Sequence, residues 1–165
     1  MDQNEKRSRT QRAKELLRTA KYAAMATVNE DGSPHNTPFM FLYESDLSRI
    51  YWGSHPDSVH SKNIARTGEV FIVLYDAFES GGLFIKGHHA HALTGGELDA
   101  ALMVHNRVRA SRGQDLLKLG YYTGKSPQRM WSAAPIAFWI NGTKRDSEGN
   151  VAQDYREEVS QNDLV

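Results

Sequence analysis

Cysteine is absent from the 165 residues. Disulfides, thiolate nucleophiles and zinc–thiolate sites are thereby excluded together, and a reducing compartment suits the chain. Neither sign of charge dominates, since Lys plus Arg and Asp plus Glu number 20 each. The global basic field that would attract nucleic acid or an anionic membrane is missing. No apolar run approaches the roughly 18 residues of a membrane span, and the start MDQNEKRSRTQ lacks the apolar stretch of a signal peptide. The expectation is a soluble, cytoplasmic protein with no membrane or nucleic-acid partner. Glycine-rich phosphate loops are missing as well: there is no G-x-G-x-x-G and no Walker motif, which disfavours a doubly wound nucleotide fold.

What is present reads as one domain over 1–165, with 39% apolar and 24% charged residues, enough to bury a core. A helix over 4–20 carries Ala13, Leu16, Leu17 and Ala20 at helical spacing, with Lys6-Arg7-Ser8-Arg9 as its solvated face. The run YAAMATV over 22–28, the turn NEDGS and the return HNTPFMFLY over 35–43 predict a hairpin. Pro38 cannot donate to a ladder, so a bulge or a locally free edge is expected there. A strand over 49–52 is stopped by Gly53, Ser54, His55 and Pro56, and a helix follows from near Asp57, capped by Ser54 or His55, to Gly68.

The apolar run over 70–75 predicts a strand buried on both faces in the middle of the sheet. After a turn over 79–82, a strand over 83–93 and a helix over 97–111 follow, the latter continued or succeeded by a short helix over 115–119. Residues 126–132 read as a helix start with one or two turns, 135–141 as the last strand, and 144–165 as a polar tail around which no core forms. The sum is a mainly β (α+β) fold, an antiparallel sheet with peripheral helices and a core over about 20–143, whose edges a closed or split barrel would remove.

The stretch WGSHPDSVHSKNI is the candidate site. A helix start offers N–H groups without partners and the positive end of its dipole, and anions bind there. Helical spacing places Ser58 and Ser61 together, sets His60 and Asn63 on an adjoining strip and turns Lys62 away, so His60 rather than Lys62 is the expected cation. An ordinary capped surface helix would use the same residue types. Lys86 is either a cation for a bound ring or a surface lysine on a strand. Of His88, His89 and His91, alternation lets two but not three share a face, so no metal site is expected, and one of them faces a cleft or an interface. Trp131, Trp139, Tyr121 and Tyr122 are expected in the core or at an interface.

Three stretches, ATVNEDGSPHNTPFMF, YWGSHPDSVHSKNI and PIAFWIN with the later DYREEV, resemble the pyridoxamine 5′-phosphate oxidase-related, FMN-binding split-barrel family over about 22–159. The resemblance implies a six-stranded antiparallel split barrel, assembled as a homodimer with two flavins at the subunit interface. It further implies that His35, Asn36, Thr37, Pro38 and Phe39 line the flavin ring, that Trp52, Gly53 and Ser54 flank the ribityl phosphate, and that Ser58, His60 and Ser61 hold it, with Asn63 in the motif's asparagine position. A partner chain would lend part of the lid from around Lys86 to His89 and Trp139. True pyridoxamine-phosphate oxidases resemble one another in an arginine–lysine pair at the phosphate turn, where this chain has Val59 and His60. The activity expected is therefore that of an FMN-dependent oxidoreductase on some other small molecule, with no catalytic residue identified. A deazaflavin-dependent reductase, a non-catalytic flavin or haem binder with one histidine of 88–91 on the iron, and a barrel without a cofactor are the alternatives.

Overall fold

The structure, a computed structural model, describes residues 3–76 and 81–165, without the side chains of residues 3–7 and 145. The turn expected over 79–82 and the side chains of Lys6 and Arg7 thus fall partly or wholly outside the described residues. Eight antiparallel strands form one sheet: β1 (Tyr22–Val28), β2 (Pro34–Met40), β3 (Leu42–Tyr43), β4 (Ile50–Ser54), β5 (Val70–Leu74), β6 (Leu83–Ala92), β7 (Arg129–Arg145) and β8 (Val151–Glu158). Their order is β2-β1-β5-β6-β7-β4-β3, with β8 added on β7. Only Phe41 separates β2 from β3, so the two ends of that path are consecutive pieces of one bent strand. The sheet therefore curls round until its edges meet. Counted that way, six strands make the barrel, and β8 lies outside the expected set.

Among the described residues four helices surround the sheet: α1 (Gln3–Thr19), α2 (Val59–Thr67), α3 (Gly95–Ser111) and the single turn α4 (Gln161–Leu164). Among the described residues no helix is long and apolar enough to cross a membrane. The barrel interior holds Met25, Phe39, Trp52, Ile72, Ile85, Trp131 and Phe138, capped by Leu16 and Leu17 of α1. A second cluster, built on Leu42, Tyr51 and Met130, lies under Leu98, Ala101 and Val104 of α3.

Several expectations are corrected. No helix forms over 126–132; Arg129 opens a 17-residue strand that also absorbs 135–141. Residues 129–133 pair with β4 from Ser54 back to Ile50, and Met130, Trp131 and Ala133 are all buried, so packing on both faces overrides the helix-start pattern. The polar tail is structured: an Asp146–Asn150 turn, with Gly149 at φ 85°, returns the chain as β8. Gly142 lies opposite Tyr155 in that ladder, and a Cβ there would stand 2.6 Å from the Tyr155 ring. In the absence of a side chain at 142 the ring lies on the strand, with the Arg9 guanidinium 5.2 Å above it. Residues 115–119 form no α-helix; a 3-10 turn follows at Leu119–Tyr121.

At Pro38 there is no bulge, for β1 and β2 pair in unbroken register from Tyr22–Met40 to Val28–Pro34. Phe41 donates its N–H to Lys21 O. Counting back by twos puts the hydrogen-bonded positions at Phe39, Thr37 and His35, so Pro38 sits where a missing N–H would face the open edge. The run over 70–75 is not buried on both faces. Val70, Ile72 and Leu74 point into the core, while Phe71 and Val73 are half-buried outside.

Candidate functional site

Helix α2 begins two residues later than expected, at Val59, because Ser58 rather than Ser54 or His55 is its N-cap. Ser58 is extended (φ −64°, ψ 151°) and its hydroxyl accepts the Ser61 N–H. Gly68 ends the helix at φ 67° and donates to Ile64 O, a left-handed stop that favours glycine. The turn over 55–58 therefore lies outside the helix and folds Ser54, at the end of β4, back over its first turn.

Four side chains meet there. Ser54 Oγ lies 2.6 Å from His60 Nε2 and 3.1 Å from Ser58 Oγ, and Ser58 Oγ lies 3.1 Å from the same imidazole nitrogen. Ser58 donates to Ser61 Oγ at 2.9 Å, and Ser61 donates to Ser54 Oγ at 3.3 Å. Each hydroxyl has one proton: that of Ser58 goes to Ser61, that of Ser61 to Ser54, and the Ser54 hydroxyl reaches both His60 Nε2 and, at 3.4 Å, His55 O. Burial, and then the neighbouring His35, lower the His60 pKa. The His35 and His60 rings are stacked 6.4 Å apart and 12° from parallel. Ser54 and Ser61 form the buried floor, with Ser58, His60 and His35 half-buried above.

No carboxylate occupies the first turn of α2. The backbone N–H groups of Val59 and His60 have no acceptor among the described residues. Hydroxyls, an imidazole and free helix-start amides with no carboxylate in the helix's first turn make a donor set that suits a phosphate monoester. Beneath it, Phe39 packs edge-on to Trp52 with centroids 5.9 Å apart, and the buried Trp52 Nε1 has no partner.

The expected site residues divide between two faces of the sheet. His35, Thr37 and Phe39 alternate with Asn36 and Pro38 along β2; the first three share the cradle's face and the other two point to the opposite side. Gly53 serves packing: a Cβ there would stand 3.1 Å from Tyr122 Oη. Asn63 is turned from the cradle, giving its amide protons to Thr27 Oγ1 at 3.1 Å and Asn29 Oδ1 at 2.9 Å. That pins α2 to the first hairpin.

Lys86 and Trp139 are not in the cradle either. Lys86 is 4.0 Å from Glu69 Oε2 and borders an outer groove of about 350 Å³ that also touches Pro34, Val70 and Phe71. Trp139 stacks on Phe71 with centroids 6.1 Å apart, and Phe84 completes the cluster. Sequence reading missed Arg156, whose guanidinium lies 3.8 Å from the Phe84 ring centre, because β8 has no apolar periodicity to announce it.

The histidines of β6 do not alternate. His88 pairs with Ala134 and His91 with Ser132, which leaves two residues opposite one, and His89 takes the left-handed conformation at φ 48°. The bulge brings the His88 and His89 rings to 4.1 Å between centroids, tilted by 40°, while His91 lies 3.4 Å from Glu97. Among the described residues no group of three or more acidic or histidine side chains could hold a metal ion.

A family model described as pyridoxamine 5′-phosphate oxidase matches residues 10–140. None of the curated proteins matches the chain in sequence. Among solved structures, a haem-binding protein from Mycobacterium smegmatis is 16% identical with a TM-score of 0.65, over 94% of this chain and 59% of that one. A Clostridium acetobutylicum protein related to general stress protein 26 of Bacillus subtilis, of the pyridoxine-phosphate oxidase family, is 12% identical with a TM-score of 0.63, over 92% and 95%. An F420 reductase is 17% identical with a TM-score of 0.55, over 76% and 94%. At these identities the likeness is one of fold.

Proposed function

The chain belongs to the pyridoxamine 5′-phosphate oxidase family, and on that premise we propose that it is an FMN-dependent oxidoreductase acting on a small molecule, with the flavin phosphate in the cradle of Ser54, Ser58, His60 and Ser61. The observation that carries this reading is the cradle itself, a set of hydrogen-bond donors gathered without a carboxylate. Bound flavin supplies the hydride or electron transfer. The chain's part is placement. The hydroxyls that now bond to one another rotate toward the phosphate oxygens, and His60 takes up a proton at Nε2 and becomes a donor. The helix-start N–H groups of Val59 and His60 add fixed partial charge.

With Val59 in place of a cation, His60, with His35 stacked on it, is the titratable group that reaches the cradle's hydroxyls. We further propose a homodimer in which Lys86, Trp139 and their neighbours on the outer face reach a second chain's flavin. Their location away from the cradle of their own chain supports that division of labour.

The test is a spectrum of the purified protein titrated with FMN and with riboflavin. Saturable FMN binding, weak riboflavin binding and loss of FMN in a Ser58→Ala/His60→Ala variant that still melts cooperatively would support the site. Equal binding of the two flavins, or full retention in the variant, would overturn it. A Soret band on adding haemin, or binding of a deazaflavin alone, would replace the cofactor while leaving the fold assignment intact. Bleaching of bound flavin by a reduced nicotinamide, with turnover in air, separates an enzyme from a carrier.

A further inference from the structure

We propose that His35 is a second ligand of the phosphate, and that His35 and His60 hold it as a pair of imidazolium groups, so that each cofactor bound brings two protons into the cradle. This rests on the flavin phosphate occupying that cradle. The two rings are 12° from parallel, with centroids 6.4 Å apart. Two charge-assisted hydrogen bonds of about 2.8 Å each, made to neighbouring oxygens of one phosphate, span such a gap. Neither ring nitrogen of His35 has a hydrogen-bond partner among the described residues, although the side chain is half-buried.

Thr27 on β1 sets the spacing of the two rings. His35 is its partner in the β1–β2 ladder, and Asn63, one helical turn after His60, donates to its hydroxyl oxygen at 3.1 Å. A second bond from the same amide, to Asn29 Oδ1 at 2.9 Å, ties the helix to the end of that hairpin. Both imidazoles thus hang from one buried residue, and neither the strand nor the helix can move away without breaking its bond to β1.

The charged neighbours have other tasks. In the turn before α2, His55 and Asp57 face each other at 3.8 Å. In the turn between β1 and β2, Asp31 accepts from both the N–H and the hydroxyl of Ser33, and Glu30 is exposed. On α2, Arg66 donates to Val28 O and Lys62 is exposed; β1 and β4 carry no ionisable side chain on this face. Stacked imidazolium ions repel each other, and His35, after burial, accordingly helps to hold His60 neutral. The free pair therefore resists a second proton. A dianionic phosphate pairs with both charges and removes that repulsion. A fixed cation would hold the phosphate at every pH, whereas two imidazoles hold it firmly only where both can be charged.

The experiment measures the affinity of the full chain for FMN at pH 7 and pH 8, with riboflavin alongside. A phosphomonoester loses its second proton at about pH 6, so the charge on FMN barely changes over that interval. A site that takes up one proton loses at most tenfold in affinity per pH unit. Expected of the pair is a loss of more than tenfold with FMN and none with riboflavin. His35→Phe keeps a ring in the stack without a proton and should lose at most tenfold. His35→Arg, a fixed cation, should keep to the same limit and bind FMN at pH 8 more tightly than the wild type; with the wild-type slope it decides the matter if His35→Phe fails to fold. A wild-type loss of tenfold or less, the same loss with riboflavin, or an undiminished loss in His35→Phe would overturn the proposal and leave the cradle standing. Failure of the wild type to bind FMN at either pH would take the cradle with it.

Discussion

His60 couples the candidate site to pH in two ways of opposite sign. In the free protein its folded pKa lies below the ordinary 6.5, so above that value both folded and unfolded states are neutral there and stability does not depend on it. As pH falls below 6.5 the unfolded chain takes the proton first, and stability declines until the folded pKa is reached. A phosphate beside Nε2 reverses the preference and favours the imidazolium. FMN should therefore bind with net proton uptake and more tightly at pH 6 than at pH 8, measurable by calorimetry in two buffers of unlike ionisation enthalpy; zero uptake would remove His60 from the phosphate shell.

His105 and Tyr122 pose a separate question at the same scale. His105 Nδ1 is 2.9 Å from Tyr122 Oη, and His105 Nε2 is buried without a partner. Burial raises the Tyr122 pKa, so the phenol stays protonated and the pair is a neutral hydrogen bond. Either His105→Phe or Tyr122→Phe should cost about 1–3 kcal/mol by stranding the other group, whereas the double change should cost less than the sum of the two. Urea denaturation of the four proteins measures that coupling.

Elements divide into those whose signals were local and those whose stability is supplied from afar. Gly87 illustrates the second kind: a Cβ there would stand 2.9 Å from Val70 Cγ2 and 3.1 Å from Ala133 Cβ, in a β6 that is already bulged. Gly87→Ala should destabilise by about 1–3 kcal/mol through overpacking, visible as a lower urea midpoint with unchanged slope, and nothing in the neighbouring sequence reveals that constraint. The first hairpin and α2, in contrast, were legible from Asp31-Gly32, Ser58 and Gly68, because turn and cap chemistry acts within a few residues. Ser54, Ser58, His60 and Ser61 were readable as a cluster for the same reason. Asn63 looked equivalent to them by helical phase, and only the approach of Thr27 and Asn29 turned its amide away. The histidines of β6 were misjudged because a bulge abolishes alternation, and β8 was missed because its outward-facing residues are polar on both sides and its ladder depends on β7.

At the scale of the molecule, the outer sheet face sets Phe71, Phe84 and Trp139 side by side beneath Arg156. If a second copy covers that face, Phe84→Glu together with Trp139→Glu should yield a monomer in light scattering and weaken FMN binding at least tenfold, because charge would replace the apolar surface that the second copy covers. A monomeric wild type would oppose the dimer. The other face of β8 carries a different dependence. Arg9 on α1 pairs with Glu157 on β8, 148 residues further along the chain, and the Arg9 guanidinium lies over Tyr155 of the same strand. On the ribosome, at roughly 5–20 residues per second, Arg9 waits about 7–30 s for that partner to be made. For that interval α1, with Leu16 and Leu17 on its apolar stripe, lacks the strand that Arg9 holds, which makes it a segment that a nascent-chain chaperone would meet.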